Sequence, residues 1–305
     1  MLFPRRAGAD SAFYKYVCNE LKARTAKIID GKALAAKIRS ELLVRANDFE
    51  SRYGRKIGLA VIRVGSDPAS AVYVRNKIKA CNECNIRSFS YDLDENVSGE
   101  QLVQLVHMLN ADAQVDGILV QLPLPKHIDE RAVLAEIDPK KDADGFHAIN
   151  AGKLFLGEKD GTVACTPRGI IELIKSTGVP IKGKHAVVVG RSNIVGKPVA
   201  ALLLANDATV TVCHSRTVNL KEITLTADIL VVAVGKSKFI TADMVKPGAV
   251  VIDVGMNRDE NGLCGDIDFE GVKDVAGYIT PVPGGVGPMT VAMLLCNTVD
   301  GAVHE

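Results

Sequence analysis

The chain has almost no excess charge of either sign. Its 305 residues carry 37 Lys or Arg against 36 Asp or Glu, so there is no broad positive field of the kind that nucleic acid would require. Long apolar runs are also missing: none reaches the roughly 20 residues needed to cross a bilayer, and no membrane contact is expected. Seven cysteines are scattered without framework spacing; an odd count of this kind fits free thiols in a reducing compartment better than a disulfide scaffold. Cys81 and Cys84 form the only close pair, have no second pair at zinc-ligand spacing, and are expected to be packing residues. Metal ligation is not expected. With 47% hydrophobic and 24% charged residues, the composition is that of a globular chain long enough for two domains.

Residues 1–27 carry six Lys or Arg against one Asp and one Glu. A basic, acid-poor segment is read either as an organellar presequence, placing the protein in mitochondria, or as a solvated extension of a cytoplasmic protein. From about residue 30 helix and strand signals alternate. Leu34, Ile38 and Leu42 recur every fourth residue, and Gly54 stands where that helix would stop. "IGLAVIRV", "RSFSYD" and "VDGILV" follow as strands, with a helix opening at Ser98 and Gln101 in capping-box spacing. A second series, "KHAVVVG", "ATVTVCHS", "DILVVAVG" and "AVVIDVG", begins after a looser stretch at 138–162. These alternations predict an α/β protein with largely parallel sheets. The expected division is 28–150 for an amino-terminal catalytic unit, completed by a carboxyl-terminal helix at 287–305, and 151–286 for a Rossmann-like unit.

Several residues then stand out chemically. Ser66 and Asp67 are caps and Pro68 suits a first helical position, so Ser70, Tyr73 and Lys77 share a helical face. Lys77 is either a solvated lysine whose stem covers an aromatic ring or a functional group. Gln121 is the first polar residue after "GILV", where open sheets bind ligands; it is either aimed into a crevice or bonded to a local turn. "DPKKDADGF" carries Asp138, Asp142 and Asp144 but lacks the remaining ligands of a calcium loop; Asp144 is a turn residue or a carboxylate aimed at a ligand.

"HAVVVGRSNIVGKPVAALLLAND" is the clearest general motif. A strand ends at Gly190, and Gly196 opens a helix whose amides and dipole could receive a phosphate. Ser192 stands where a dinucleotide fingerprint has its middle glycine. No acid follows the next strand; Cys213, His214, Ser215 and Arg216 stand there instead. A carboxylate would repel a 2′-phosphate, so NADP is expected over NAD, with Arg191 and Ser215 as leading phosphate ligands. Tyr-x-x-x-Lys also marks short-chain dehydrogenases, but in those the glycine-rich turn precedes the pair, and here it follows by more than a hundred residues. The run "ITPVPGGVGPMTVAML" is either a loop approaching a flat ligand or a tight interdomain crossover.

"YVRNKIKA", "VDGILVQLPLP", "DADGF", "GRSNIVGKP" and "PVPGGVGPMT" occur in an order and spacing that resembles the bifunctional methylenetetrahydrofolate dehydrogenase/cyclohydrolases, over about residues 28–303. The resemblance implies a folate cleft between the two units and a homodimer. It also implies oxidation of methylenetetrahydrofolate by NADP, followed by hydrolysis of the methenyl product, in one-carbon metabolism. On it, Lys77 acts at the reacting carbon with Gln121 beside it, Tyr73 stacks on the aminobenzoate ring, and Asp144 binds the pterin edge, these four being the catalytic candidates. Ser70, Val120, Leu122, Pro283, Gly284, Gly285 and Gly287 line the folate site, while Gly190, Arg191, Ser192, Ser215 and Met256 hold the cofactor. Asn85 departs from the commoner glycine after the first motif, where a left-handed cap is expected and Asn is tolerated. Two rival classes are a dehydrogenase of this architecture lacking the hydrolytic step, and a noncatalytic NADP-binding regulator.

Overall fold

The computed structural model describes residues 25–260 and 262–303. The basic segment proposed as a presequence therefore lies, but for residues 25–27, outside the described residues. Strand β1 is Lys27–Ile28, and helix α1, Gly31–Tyr53, begins where Asp30 accepts a hydrogen bond from the amide of Ala33 and ends at Gly54 in the left-handed region, φ 68°. β2 (Gly58–Val64), α2 (Pro68–Glu83), β3 (Arg87–Leu93), α3 (Gly99–Ala111) and β4 (Gly117–Val120) follow. Asp67 caps α2 through the amide of Ser70, and Ser98 with Gln101 forms the full reciprocal box at α3, so three of these helices start on side-chain oxygens that the sequence placed there. Asn85, after α2, has φ 56° as expected for a left-handed cap.

The three strands make one parallel sheet in the order β3-β2-β4. Beyond it lie α4 (Glu130–Ala135), α5 (Ala148–Leu156) and α6 (Cys165–Ser176). The second layer contains β5 (His185–Val189), α7 (Gly196–Ala205), β6 (Thr209–Cys213), α8 (Leu220–Thr224), β7 (Ile229–Val232) and β8 (Val250–Asp253). A small antiparallel hairpin, β9 (Asn257–Asp259) with β10 (Gly262–Cys264), then leads to α9 (Phe269–Val272), β11 (Tyr278–Ile279) and α10 (Val286–Val303). The second sheet is parallel, in the order β1-β11-β8-β7-β5-β6. Both faces of its central strands are buried: every residue of β7 and β8 is buried, which is why they read as Val/Ile/Leu runs, broken only by Asp253 at the end of β8.

β1 was not foreseen. Lys27 and Ile28 lie at the edge of the second sheet, paired with Tyr278 and Ile279, so the chain enters the described structure in the second sheet and only then builds the first. Two residues are too short to carry a periodic signal. α10 packs on α1 and α6, and touches α2 and β4. Its 18 residues are long and apolar enough to span a bilayer on length and composition, which corrects the expectation that no such segment exists. Eleven of its residues are buried in this structure, with Met289, Ala292, Leu295 and Val299 in the cluster shared by α1, α6 and the inner faces of both sheets. It is a core helix that joins the two layers.

Candidate active site

Lys77 and Gln121, on α2 and just beyond β4, are brought together by the first sheet. Lys77, two turns into α2, is only 9% exposed. That overturns the solvated-lysine alternative. Its Nζ donates to Oε1 of Gln121 at 3.0 Å, and Nε2 of Gln121 donates to the carbonyl of Leu122 at 2.7 Å. The local-turn alternative for Gln121 is therefore the one observed: its amide nitrogen holds the turn, and its oxygen accepts from the lysine. Val120 is buried below it and Leu122 packs half-buried on the first sheet's outer cluster. Ser70 is buried one turn before Tyr73.

Asp144 lies in the electrostatic field of Lys77. Burial pushes its carboxyl up to about 6, with Lys77 pulling it down and the neighbouring Asp142 adding to the rise. Its carboxylate makes no hydrogen bond to the described residues, so it remains an acceptor open to a ligand. Asp142 has the opposite character. Its oxygens accept from the amides of Gly145, Phe146 and His147 and from Nδ2 of Asn150, which makes it the clamp of the turn rather than a metal ligand.

Tyr73 is 44% exposed, and its hydroxyl donates to Sδ of Met256 at 3.0 Å. That contact runs from α2 to the segment after β8. Beside it lies a cavity of about 690 Å³ bordered by Tyr73 and Asn76, by Met256, and by Pro281 through Pro288. Lys77, Gln121 and Asp144 are not in its lining; Tyr73 is the catalytic candidate that borders it. Pro283, Gly284, Gly285 and Gly287 all border this cavity, and the carbonyl of Gly284 accepts from the amide of Lys32. A Cβ on Gly31 would stand 1.8 Å from the carbonyl oxygen of Gly285; α1 and this loop approach so closely that only glycine fits.

At the dinucleotide-type turn, Gly190 has φ 130°, and a Cβ on Gly196 would lie 2.2 Å from the carbonyl oxygen of Gly190. The start of α7 is not open as expected. Oγ of Ser192 accepts from the amides of Val195 and Gly196 at 3.2 and 3.3 Å, so the residue replacing the middle glycine occupies two amides of the turn into the helix. Its O–H proton remains free to donate. Arg191 and Ser215 are exposed, and Arg191 has no ion-pair partner among the described residues. After β6 the amide of Arg216 donates to Nδ1 of His214, fixing a turn without a carboxylate. These groups fit a nucleotide with a phosphate on its ribose.

Asp253 was missed. It ends β8, lines the cavity, and accepts from the amides of Gly255, Asp266 and Ile267; burial drives its carboxyl up to about 7 although those three donors oppose the rise. It is the first polar residue after an apolar strand, the same signal that singled out Gln121. Cys81 and Cys84 are buried, and burial pushes their thiols up to about 12 and about 11, as packing residues require.

The family model for the tetrahydrofolate dehydrogenase/cyclohydrolase catalytic domain matches residues 29–144, and the model for its NAD(P)-binding domain matches 164–305. The chain belongs to this family. The bifunctional protein FolD of Acetivibrio thermocellus is 59% identical over 278 residues, covering 91% of this chain and 97% of the relative. The solved structure of the bifunctional enzyme FolD, methylenetetrahydrofolate dehydrogenase/cyclohydrolase, from Campylobacter jejuni superposes with a TM-score of 0.89 at 50% identity, covering 92% of this chain and 99% of that one. The Trypanosoma brucei enzyme, solved with NADP and an inhibitor, gives 0.86 at 44% identity, covering 92% and 98%. The family's two-domain α/β architecture is that described above.

Proposed function

We infer that this chain oxidises 5,10-methylenetetrahydrofolate to the methenyl cation with NADP and then hydrolyses that cation to 10-formyltetrahydrofolate, a formyl donor for purine biosynthesis. The observation that carries the reading is the buried Lys77–Gln121 pair, whose lysine charge acts on the unpartnered carboxylate of Asp144. Asp144 accepts hydrogen bonds from the N–H edge of the pterin, and Tyr73 turns from Met256 to stack on the aminobenzoate ring. NADP, when bound, supplies the hydride acceptor. No protein acid is needed for that step, because positioning of the reacting carbon does most of the work.

Hydrolysis makes different demands. Water must be deprotonated as it adds to the methenyl carbon, and the tetrahedral adduct must open toward the formyl product. Lys77, oriented by Gln121, is the group placed to manage that proton. Arg191 and Ser215 hold the 2′-phosphate, and Gly190 with the O–H of Ser192 faces the pyrophosphate. Residues 28–150 with the last helix act as the folate unit and 151–286 as the nucleotide unit, with β1 as a tie between them.

The protein is further proposed to be a homodimer joined through the second sheet. β6 is an edge strand, and Val212 on it is exposed, as are Leu204 on the adjacent α7 and Phe155 and Leu156 on α5, which packs on α7. Unpaired strand edges flanked by large apolar side chains are where chains pair. The direct test of the enzymatic reading is to mix purified protein with methylenetetrahydrofolate and NADP or NAD, following methenyl absorbance and its decay. Cofactor binding without turnover would return the chain to a binding role.

A further inference from the structure

The turn that carries Asp144 is gripped by a side chain more than 150 residues away. Asn297, buried on the inner face of α10, donates through Nδ2 to the carbonyl of Ala143 and to the carbonyl of Val163, each at 2.9 Å. Ala143 immediately precedes Asp144. Val163 precedes the segment whose Cys165 amide donates to the carbonyl of Asp144 at 3.2 Å. The thiol of Cys165 donates to the same Ala143 carbonyl at 3.3 Å, and the amide of Ala143 donates to Ile118 on β4. The peptide leading into Asp144 is thus fixed from both sides, while the carboxylate itself is left free.

Asn297 is in turn fixed. Nη1 of Arg168, on α6, donates to its Oδ1 at 2.6 Å, and Nη2 of Arg168 pairs with Asp300 at 2.8 Å. Asp300 also pairs with Arg45 of α1 at 2.7 Å. The guanidinium therefore decides which end of the carboxamide is acceptor and which is donor, and the flip that would turn Oδ1 toward two carbonyls is excluded. None of these residues touches the cleft groups Lys77, Gln121 or Tyr73 by hydrogen bond, and none has a part in the chemistry above. A chain of satisfied buried polar groups is rigid.

We propose that Asn297, oriented by Arg168, is a positioning residue that sets the direction of the Asp144 carboxylate and so governs folate binding. The proposal rests on Asp144 being the pterin ligand. A carboxylate with no bond of its own to protein owes its direction to its backbone, and displacements of about 1 Å at a substrate contact cost on the order of a hundredfold in rate.

The test uses Asn297→Leu, Arg168→Met and Arg168→Lys in the full chain, with KM and kcat measured separately for methylenetetrahydrofolate and NADP. The expected result is a KM for the folate raised about tenfold or more in Asn297→Leu and Arg168→Met, an unchanged KM for NADP, and partial rescue in Arg168→Lys, which keeps one donor. Unaltered folate KM in variants that bind NADP normally would overturn the proposal, as would equal loss of affinity for both ligands. Should Asn297→Leu not fold, the two Arg168 variants decide alone, since lysine and methionine differ there mainly in the donor. Wild-type protein inert toward methylenetetrahydrofolate would instead sink the folate reading itself, an outcome visible before any variant is made.

Discussion

Gln121 receives the ammonium of Lys77 on its carbonyl oxygen at 3.0 Å while its amide nitrogen is bound to the Leu122 carbonyl at 2.7 Å. The residue is therefore polarised in one sense only, acceptor toward the lysine. Gln121→Leu leaves Lys77 buried without that acceptor. A hydrogen bond to a charged group is worth about 1.5–3 kcal/mol, so hydrolysis of methenyltetrahydrofolate should fall about ten- to a hundredfold. Stopped assays of the variant with preformed methenyl substrate check this, and an unchanged rate would remove Gln121 from the mechanism.

Arg191→Ala should weaken NADP much more than NAD. The guanidinium is exposed beside the turn with no carboxylate engaged to it among the described residues, and a charge-assisted contact with phosphate is worth roughly 1.5–3 kcal/mol, or about ten- to a hundredfold. Titration calorimetry with both nucleotides gives the comparison directly. Equal losses would reject the phosphate contact.

Asp144 makes the ligand-free protein pH-sensitive in a definite sense. Its carboxyl is raised from 3.8 to about 6 by burial, so between those values the folded protein keeps a proton that the unfolded chain has lost, and stability from this group falls as pH rises. The full difference amounts to about 3 kcal/mol. Asp144→Asn should raise the melting temperature at pH 8 and leave it nearly unchanged at pH 4, while folate binding is lost. Asp253 is shifted the same way, to about 7, but is common to both proteins and cancels in the comparison. A variant that melts lower at pH 8 would show that the carboxylate is stabilised, not strained, in its site.

Phe155 is 82% exposed and Leu156 74%. Phe155→Asp at a dimer interface would bury an unpaired charge, with a penalty of several kcal/mol. Sedimentation at micromolar concentration should show a dimer for the parent chain and a monomer for the variant. A parent chain that sediments as a monomer would contradict the proposed pairing of β6 edges.

Local signals carried much of this structure. Caps at Asp67 and Ser98, the stop at Gly54, and the apolar strands ending at Gly190 and before Gln121 were all legible because each depends on a few adjacent residues. What escaped was long-range. β1 owes its place to parallel pairing of Lys27 and Ile28 with Tyr278 and Ile279, not to its own composition. Asn297 sits in an apolar helix where nothing nearby distinguishes it from a tolerated polar residue. The contact of Tyr73 with Met256 joins segments that only the fold brings together. Ser192 was legible as a departure from the glycine pattern, but its bonds to the amides of Val195 and Gly196 follow from the turn geometry rather than from the motif.

The central claim is that one buried lysine separates the two reactions, and Lys77→Met tests it most directly. Methionine keeps most of the stem's volume beside Cys81 and Tyr73, so α2 should stand. Positioning by Asp144, Tyr73 and the 283–287 loop remains for hydride transfer, whereas proton-transfer assistance, typically about a hundred- to ten-thousandfold, is gone. The measurement is a single progress curve at the methenyl absorbance with methylenetetrahydrofolate and NADP. The account predicts that the variant accumulates methenyltetrahydrofolate, which decays only at the uncatalysed rate, where the parent converts it onward. A variant that still hydrolyses the methenyl product at the parent rate would contradict it, as would loss of both steps with NADP affinity intact.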